Sequence, residues 1–225
     1  MEGMQPSPGP RLTAVSVVSR LKPKSWEEPY TTAIDKAAVT GPIPLGWMGL
    51  AGDIQCDRDN HGGVYAAVYA YADEDADGWA QELGFPIEPG RFGENLRTSG
   101  LDVTGAEIGE RWQIGRPGEG VLLEVTSART PCRTFAEHMN QPHWVKRFTL
   151  RNAPGSYLRV LKRGSVQAGD SITVTHRPGH GVTVGDCTRL GTPARMRVLL
   201  AAAREQELDL DPSLRWFAER RAARE

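Results

Sequence analysis

Short β-branched stretches cut apart by glycine and proline recur from residue 11 to about residue 180, and this punctuation restricts the fold more than any other feature. Leu12–Val18 (LTAVSVV) alternates in part and is rich in β-branched residues. Residues 120–126 (GVLLEVT) and 157–161 (YLRVL) have the pattern of buried strands. Two segments resemble each other, AEIGERWQI (106–114) and VQAGDSITV (166–174). In each a Gly-acid pair precedes alternation into a strand, and Gly109 and Gly169 suit the positive φ of a tight turn or bulge. With 25 glycines and 16 prolines spacing such runs, the chain reads as a β-barrel or sandwich. One helix interrupts it at about 71–83, with acidic residues in its first turn and Trp79 and Leu83 one turn apart.

The composition changes at 176–181 (HRPGHG), which reads as a linker. Thr192-Pro193 and Asp211-Pro212 each place an N-cap before a proline at the first helical position. With a short helix at about 183–190 they predict a three-helix appendage. The expected organisation is a disordered tail over 1–10, a β domain over 11–180 and a helical extension over 181–225. A homodimer formed through the extension is one expectation.

Six Trp, five Tyr and five Phe with a net charge of -1 argue for a packed globule rather than disorder. The charge balance also argues against nucleic acid as the main partner. No apolar run approaches the roughly 20 residues of a membrane span. The opening MEGMQPSPGP lacks a secretory pattern. Three cysteines with no CxxC pair favour neither a disulfide framework nor a four-cysteine zinc site. A cytoplasmic location is therefore expected.

Cys132 follows a strong strand pattern and has Arg129 and Arg133 close by, charges that favour the thiolate. A buried, inert thiol is the competing reading. Cys56 and Cys187 have acidic neighbours, Asp57 and Asp186, and read as structural. His61-Gly62-Gly63 closes a glycine- and aspartate-rich loop in which Asp53, Asp57 and His61 form a weak metal set; a solvated turn is the larger alternative. Arg91-Phe92-Gly93-Glu94-Asn95-Leu96 is a compact turn whose Arg, backbone amides and Asn suit a phosphate or a heterocycle edge. Arg97 and Glu110 read as surface charges. No GxxxxGK[ST], post-strand GxGxxG, HExxH or GxSxG motif is present.

The motifs occur in the order G-L-A-G-D-(x7)-H-G-G (49–63), AVYAYADEDADGWAQEL (67–83), R-F-G-E-N-L (91–96), A-R-T-P-C (128–132), G-S-Y-L-R-V (155–160) and V-Q-A-G-D (166–170). This series resembles the MOSC domain, the module related to the C-terminal domain of molybdenum-cofactor sulfurases, and in particular its YiiM-like group with a three-helix C-terminal extension. The resemblance implies a mainly β fold with α, a β-barrel domain with peripheral helices. It implies molybdenum cofactor (molybdopterin) binding, with Cys132 as metal ligand and a triad of Lys36, His61 and Cys132. The turn Phe92, Gly93 and Asn95 would face the pterin, alongside Gly62 and Gly63. Arg129, Arg91 or Arg133 would bind the pterin phosphate. Ala128 stands where the family motif usually has Pro, and Ser156 where an aromatic is common.

The implied activity is reduction of N-hydroxylated compounds such as hydroxylaminopurine bases, with electrons from a partner redox protein. Two alternatives remain: a persulfide sulfur carrier acting with a pyridoxal-phosphate desulfurase, and a non-catalytic cofactor-binding protein. Pyridoxal phosphate bound directly at Lys36 is a lesser alternative, since no phosphate cup is apparent.

Overall fold

Most of the strand residues belong to one eight-stranded mixed sheet. The computed structural model describes residues 9–25, 27, 29–58, 62–116 and 120–224. Eleven strands and five α-helices are present among them. They run β1 (Arg11–Pro23), β2 (Thr31–Val39), β3 (Ile43–Gly46), β4 (Gly49–Leu50), β5 (Val68–Ala72), α1 (Asp73–Leu83), β6 (Leu96–Ser99), β7 (Arg111–Ile114) and β8 (Val121–Ala128). Then follow α2 (Arg133–Met139), α3 (Trp144–Arg151), β9 (Ser156–Lys162), β10 (Gly164–Val166), β11 (Ile172–His176), α4 (Pro193–Glu205) and α5 (Pro212–Ala222). The large sheet has the order β11-β7-β8-β9-β5-β6-β1-β2, and β10-β3-β4 form a small second sheet. Most neighbours are antiparallel, but β5 and β6 are parallel and joined across α1.

The expected barrel does not close. The end strands β11 and β2 do not pair. The start of β1 approaches the chain leading into β11, with Leu12 N–H donating to Asp170 O and Ile172 N–H to Pro10 O, both at 2.8 Å. That contact reaches only a single bridge, Arg11 to Ser171. From Val15 onward β1 is paired with β2 instead, so only Arg11–Ala14 is left to meet the chain at β11.

β5 shows how the two halves of the interior are separated. All five residues are buried. Alternation sends Val68, Ala70 and Ala72 into the main aliphatic core and Tyr69 and Tyr71 into an aromatic cluster on the other face. That cluster holds Trp79 of α1, Phe135 of α2, and Trp144 and Phe148 of α3. Trp79 lies 4.6 Å from Trp144 between ring centroids and donates from Nε1 to the Tyr71 hydroxyl at 3.0 Å. The helix predicted for 71–83 begins at Asp73, because Tyr71 and Ala72 complete β5. Its first turn carries Asp73, Glu74 and Asp75, as the helix dipole favours, and Gly84 ends it in the left-handed region.

Both N-caps of the C-terminal helices form as their sequences predict. Thr192 accepts from Arg195 N–H, and Asp211 from Ser213 and Leu214 N–H. The short preceding helix is reduced to a 3-10 turn, Gly185–Cys187. Met196, Leu199, Leu214 and Ala218 share one apolar cluster with the sheet strands. The segment expected to be a linker is held down. His180 Nε2 donates to Ile108 O at 2.8 Å while its Nδ1 accepts from Val182 N–H at 3.0 Å, and Arg177 pairs with Glu110 at 2.7 Å. Among the described residues no helix is long and apolar enough to cross a membrane.

Two charges read as surface residues are buried. Glu110 is fully covered and accepts from Trp112 Nε1 at 2.8 Å as well as from Arg177. Arg97 is 2% exposed and pairs with the fully buried Glu94. Each needs a partner to be tolerated at such depth, and each has one.

Candidate functional site

Lys36 lies on β2 opposite Val18 of β1, and its side chain is almost wholly covered. It forms an ion pair with Asp53, which is equally buried. The other Asp53 oxygen accepts from Val18 N–H at 2.9 Å, and the paired oxygen also accepts from Asn95 Nδ2 at 2.7 Å. Burial pushes the Lys36 ammonium below its ordinary value, and the Asp53 carboxylate opposes that only in part. Lys36 is thus a buried cation held in one place by Asp53.

The turn ahead of β6 presses against this pair. Glu94 accepts from Gly90 N–H at 2.8 Å and Phe92 N–H at 2.9 Å, which shapes the turn from inside. Gly93 has φ 78°, and a Cβ there would sit 2.9 Å from Ile34 Cγ1 on β2. Only glycine allows so close an approach at that backbone angle. Asn95 donates to Ser16 O and Asp53 and accepts from Tyr69 N–H at 3.1 Å, so both amide hydrogens are engaged within the protein. Asn95 therefore positions Asp53, whereas the sequence pattern suggested a contact to a heterocycle edge.

Arg129 follows β8 and Cys132 lies immediately before α2. Arg129 is 7% exposed, with its guanidinium 4.1 Å from the Phe135 ring centroid and 5.2 Å from that of Tyr69. Burial opposes its charge, but Tyr157, Tyr69 and Cys132 favour it, and the net direction is upward. Its Nη1 is buried without a hydrogen-bond partner among the described residues. A guanidinium nitrogen left so is costly, and an anionic or carbonyl ligand would satisfy it. Cys132 is half-buried.

One cavity of about 110 Å³ brings these groups together. Lys36, Asp53, Gly93, Asn95, Arg129 and Cys132 all line it, with Tyr69 and Tyr157 in its wall. The two tyrosines are cross-strand partners on β5 and β9 with ring centroids 5.4 Å apart, and burial holds both phenols above their ordinary values. Other residues named from sequence lie elsewhere. Phe92 is fully buried in the aromatic cluster, 4.9 Å from Tyr71 and 5.5 Å from Phe135. Arg133 is exposed and pairs with Glu137 at 3.2 Å. Arg91 is outside the cavity lining and bonds through its carbonyl to His138 Nε2 at 3.1 Å. Gly62 lines a neighbouring hollow, and Gly63 N–H donates to Gln55 Oε1, a cavity residue, at 2.8 Å. His61 lies outside the described residues. Among those described, no three His, Cys, Asp or Glu side chains are gathered as a metal set, and Asp53 is turned to Lys36.

The sequence reading missed Tyr69 and Tyr157, which look like ordinary strand residues, and Cys56. Cys56 is exposed and lines the same cavity as Cys132. Cys187, in contrast, is buried, and burial together with Asp186 pushes its thiol far up.

His138 ties α2 to the turn beneath it. Its Nδ1 lies 3.4 Å from Lys22 Nζ, and Nε2 bonds Arg91 O. Burial, helped by the Lys22 and Arg91 charges, lowers its pKa to about 4. The unfolded chain takes up this proton near 6.5, so His138 supports the fold fully above that pH. The support is lost as pH falls from about 6.5 toward 4, an effect of about 2 kcal/mol after allowance for partial exposure. Urea unfolding of wild type and His138→Asn at pH 7 and pH 4.5 should show the variant losing less stability on acidification. Equal losses would refute the assignment.

A family model described as the MOSC domain matches residues 57–173, more than half of the chain. The chain belongs to the MOSC domain family. Such domains are associated with molybdenum cofactor binding. Over 159 residues the chain is 31% identical to protein YiiM of Escherichia coli strain K12, covering 69% of each. Over 178 residues it is 32% identical to a protein named "Reductase" from Gibberella moniliformis, covering 77% of this chain. The chain spans only 31% of that reductase's length. Its fold is that of YiiM from Geobacillus stearothermophilus, with a TM-score of 0.74 at 22% identity over 95% of this chain and all of the other. This MOSC protein is thus a sheet-dominated, YiiM-like member of the family.

Proposed function

We propose that this protein holds the molybdenum cofactor in the cavity between Lys36 and Cys132 and reduces N-hydroxylated compounds, such as hydroxylaminopurine bases, with electrons from a partner redox protein. The observation that carries the reading is that one cavity is lined both by a half-buried thiol and by an arginine with a buried guanidinium nitrogen that has no partner among the described residues. The residues fit the group: a thiolate is a soft donor for a high-valent metal, and Arg129 offers planar donors to a phosphate or pterin carbonyl. When bound, the cofactor supplies two-electron redox chemistry at its metal.

The chain's own residues supply the rest. Arg129 is held by the Phe135 and Tyr69 rings, so its guanidinium is fixed before a ligand arrives. Lys36, anchored by Asp53, lines the cavity as a hydrogen-bond donor held in a fixed position. Its lowered proton affinity makes it a proton source for an oxygen leaving as water. His61 is assigned a similar donor role on sequence grounds. The relative named a reductase supports this class of reaction.

The test is molybdenum and pterin content per chain, after expression in a host that makes the cofactor, followed by reduction of a hydroxylaminopurine with an artificial electron donor. Near-stoichiometric metal with turnover is expected. Metal-free protein from a competent host, carrying a cyanide-labile persulfide on Cys132, would overturn the proposal in favour of sulfur transfer.

A further inference from the structure

We propose that Cys56 and Cys132 form a reversible disulfide across the cavity when the protein meets a hydroperoxide. The two residues are far apart in sequence, yet both line the same cavity. Cys56 is exposed and Cys132 half-buried, so a small oxidant reaches both thiols. Neither lies in a strand or helix: Cys56 is in the loop after β4, and Cys132 links β8 to α2. No sheet ladder has to break for the two segments to approach.

The cavity's charges choose the order of events. Lys36 is tied to Asp53 and Lys24 to Glu27, whereas among the described residues no carboxylate is bonded to Arg129, which sits near Cys132. Cys132, the sulfur next to Arg129, reacts first and Cys56 resolves it. Its sulfur attacks the peroxide, the S–O bond forms as the O–O bond breaks, and the departing oxygen leaves as an alcohol or water after taking a proton. The Cys56 thiolate then attacks the sulfenic sulfur, forming S–S and releasing hydroxide, which takes up the proton lost by Cys56. Two thiols lose two electrons and two protons, and the hydroperoxide is reduced.

The disulfide itself is independent of cofactor binding. Its consequence rests on the reading above: the oxidised chain lacks the soft donor and cannot take the metal. Dithiols restore it.

The full chain is treated with hydrogen peroxide, remaining thiols are alkylated under denaturing conditions, and tryptic peptides are mapped without reductant. Residues 37–58 linked to residues 130–133, with two of the three thiols lost and both recovered by dithiothreitol, is the expected result. In Cys56→Ser the linked peptide disappears and dimedone traps a sulfenic acid on Cys132. Sulfinic acid on Cys132 beside a freely alkylated Cys56 in the wild type, linkage to Cys187, or three intact thiols would each overturn the proposal. Molybdenum is measured on the same batch. A metal-free chain that still forms the bond separates this inference from the cofactor reading.

Discussion

Replacing Cys132 with serine is expected to strip molybdenum from the protein and to lower turnover of an N-hydroxylated substrate by at least about 100-fold, since even residues behind a ligand cost 10–100-fold. A serine hydroxyl keeps its proton near neutral pH and is a hard donor, so it replaces neither the charge nor the softness of a thiolate. The fold should be unaffected. Cys132 occupies extended backbone (φ -125°, ψ 176°) at the N-cap of α2 and caps no N–H with its side chain. Serine is among the favoured N-cap residues, so α2 should if anything be firmer. Unchanged circular dichroism and urea midpoint, with metal content at background, is the predicted combination. Full metal and turnover in the variant would end the ligand assignment.

Replacing Glu94 with glutamine should produce the largest loss of stability, about 3–5 kcal/mol, as expected when one partner of a buried ion pair is removed. Glu94 is fully buried and Arg97 is 2% exposed. Arg97 would keep Ile87 O and Glu88 O at 3.2 Å and the distant Asp73 at 3.6 Å, none of which matches a direct carboxylate. The amide can accept from only one of Gly90 N–H and Phe92 N–H and would point a donor at the other or at Arg97. The melting temperature should fall by roughly 10 °C in a chain of this size. Urea unfolding with an unchanged slope gives the free energy directly. Adding Arg97→Met should recover part of the loss, because no orphan charge then remains. A loss below about 1 kcal/mol would show that the pair is not the main support of the turn.

That turn also links stability to the site. A Cβ on Gly90 would lie 2.7 Å from Lys36 O, so the turn and β2 are in direct contact. Disturbing Glu94 therefore shifts the strand that carries Lys36, and some loss of function should accompany the loss of stability even in molecules that remain folded.

Local features were legible in the amino-acid sequence. Thr192-Pro193 and Asp211-Pro212 cap their helices as read, because capping is decided within three or four residues. Gly109 and Gly169 take positive φ for the same local reason. The buried-strand patterns at 120–126 and 157–161 fall on β8 and β9. Family membership followed from motif order, which needs no coordinates. Polarity misled at Arg97 and Glu110, since charge in isolation indicates exposure and each owes its burial to a partner. Glu110 meets Arg177, 67 positions away. Phe92 sits in a functional-looking turn but faces the aromatic cluster, because Glu94 draws the backbone amides inward and turns the ring toward Tyr71.

Strand order and the contents of the cavity were settled only by the tertiary structure. The barrel fails to close because β2 occupies the edge of β1 from Val15 onward, a competition between segments that no single-strand pattern records. Lys36, Asp53, Asn95, Arg129 and Cys132 come from β2, two loops and the approach to β6, and Cys56 joins them despite acidic neighbours that made it look inert. Helix starts, strand positions and the family resemblance could be read from the chain alone, since those rest on interactions among near neighbours and on motif order. Which side chains face one another, and which charges lie buried with a partner or without one, depended on pairings between distant segments that form only when the whole sheet assembles.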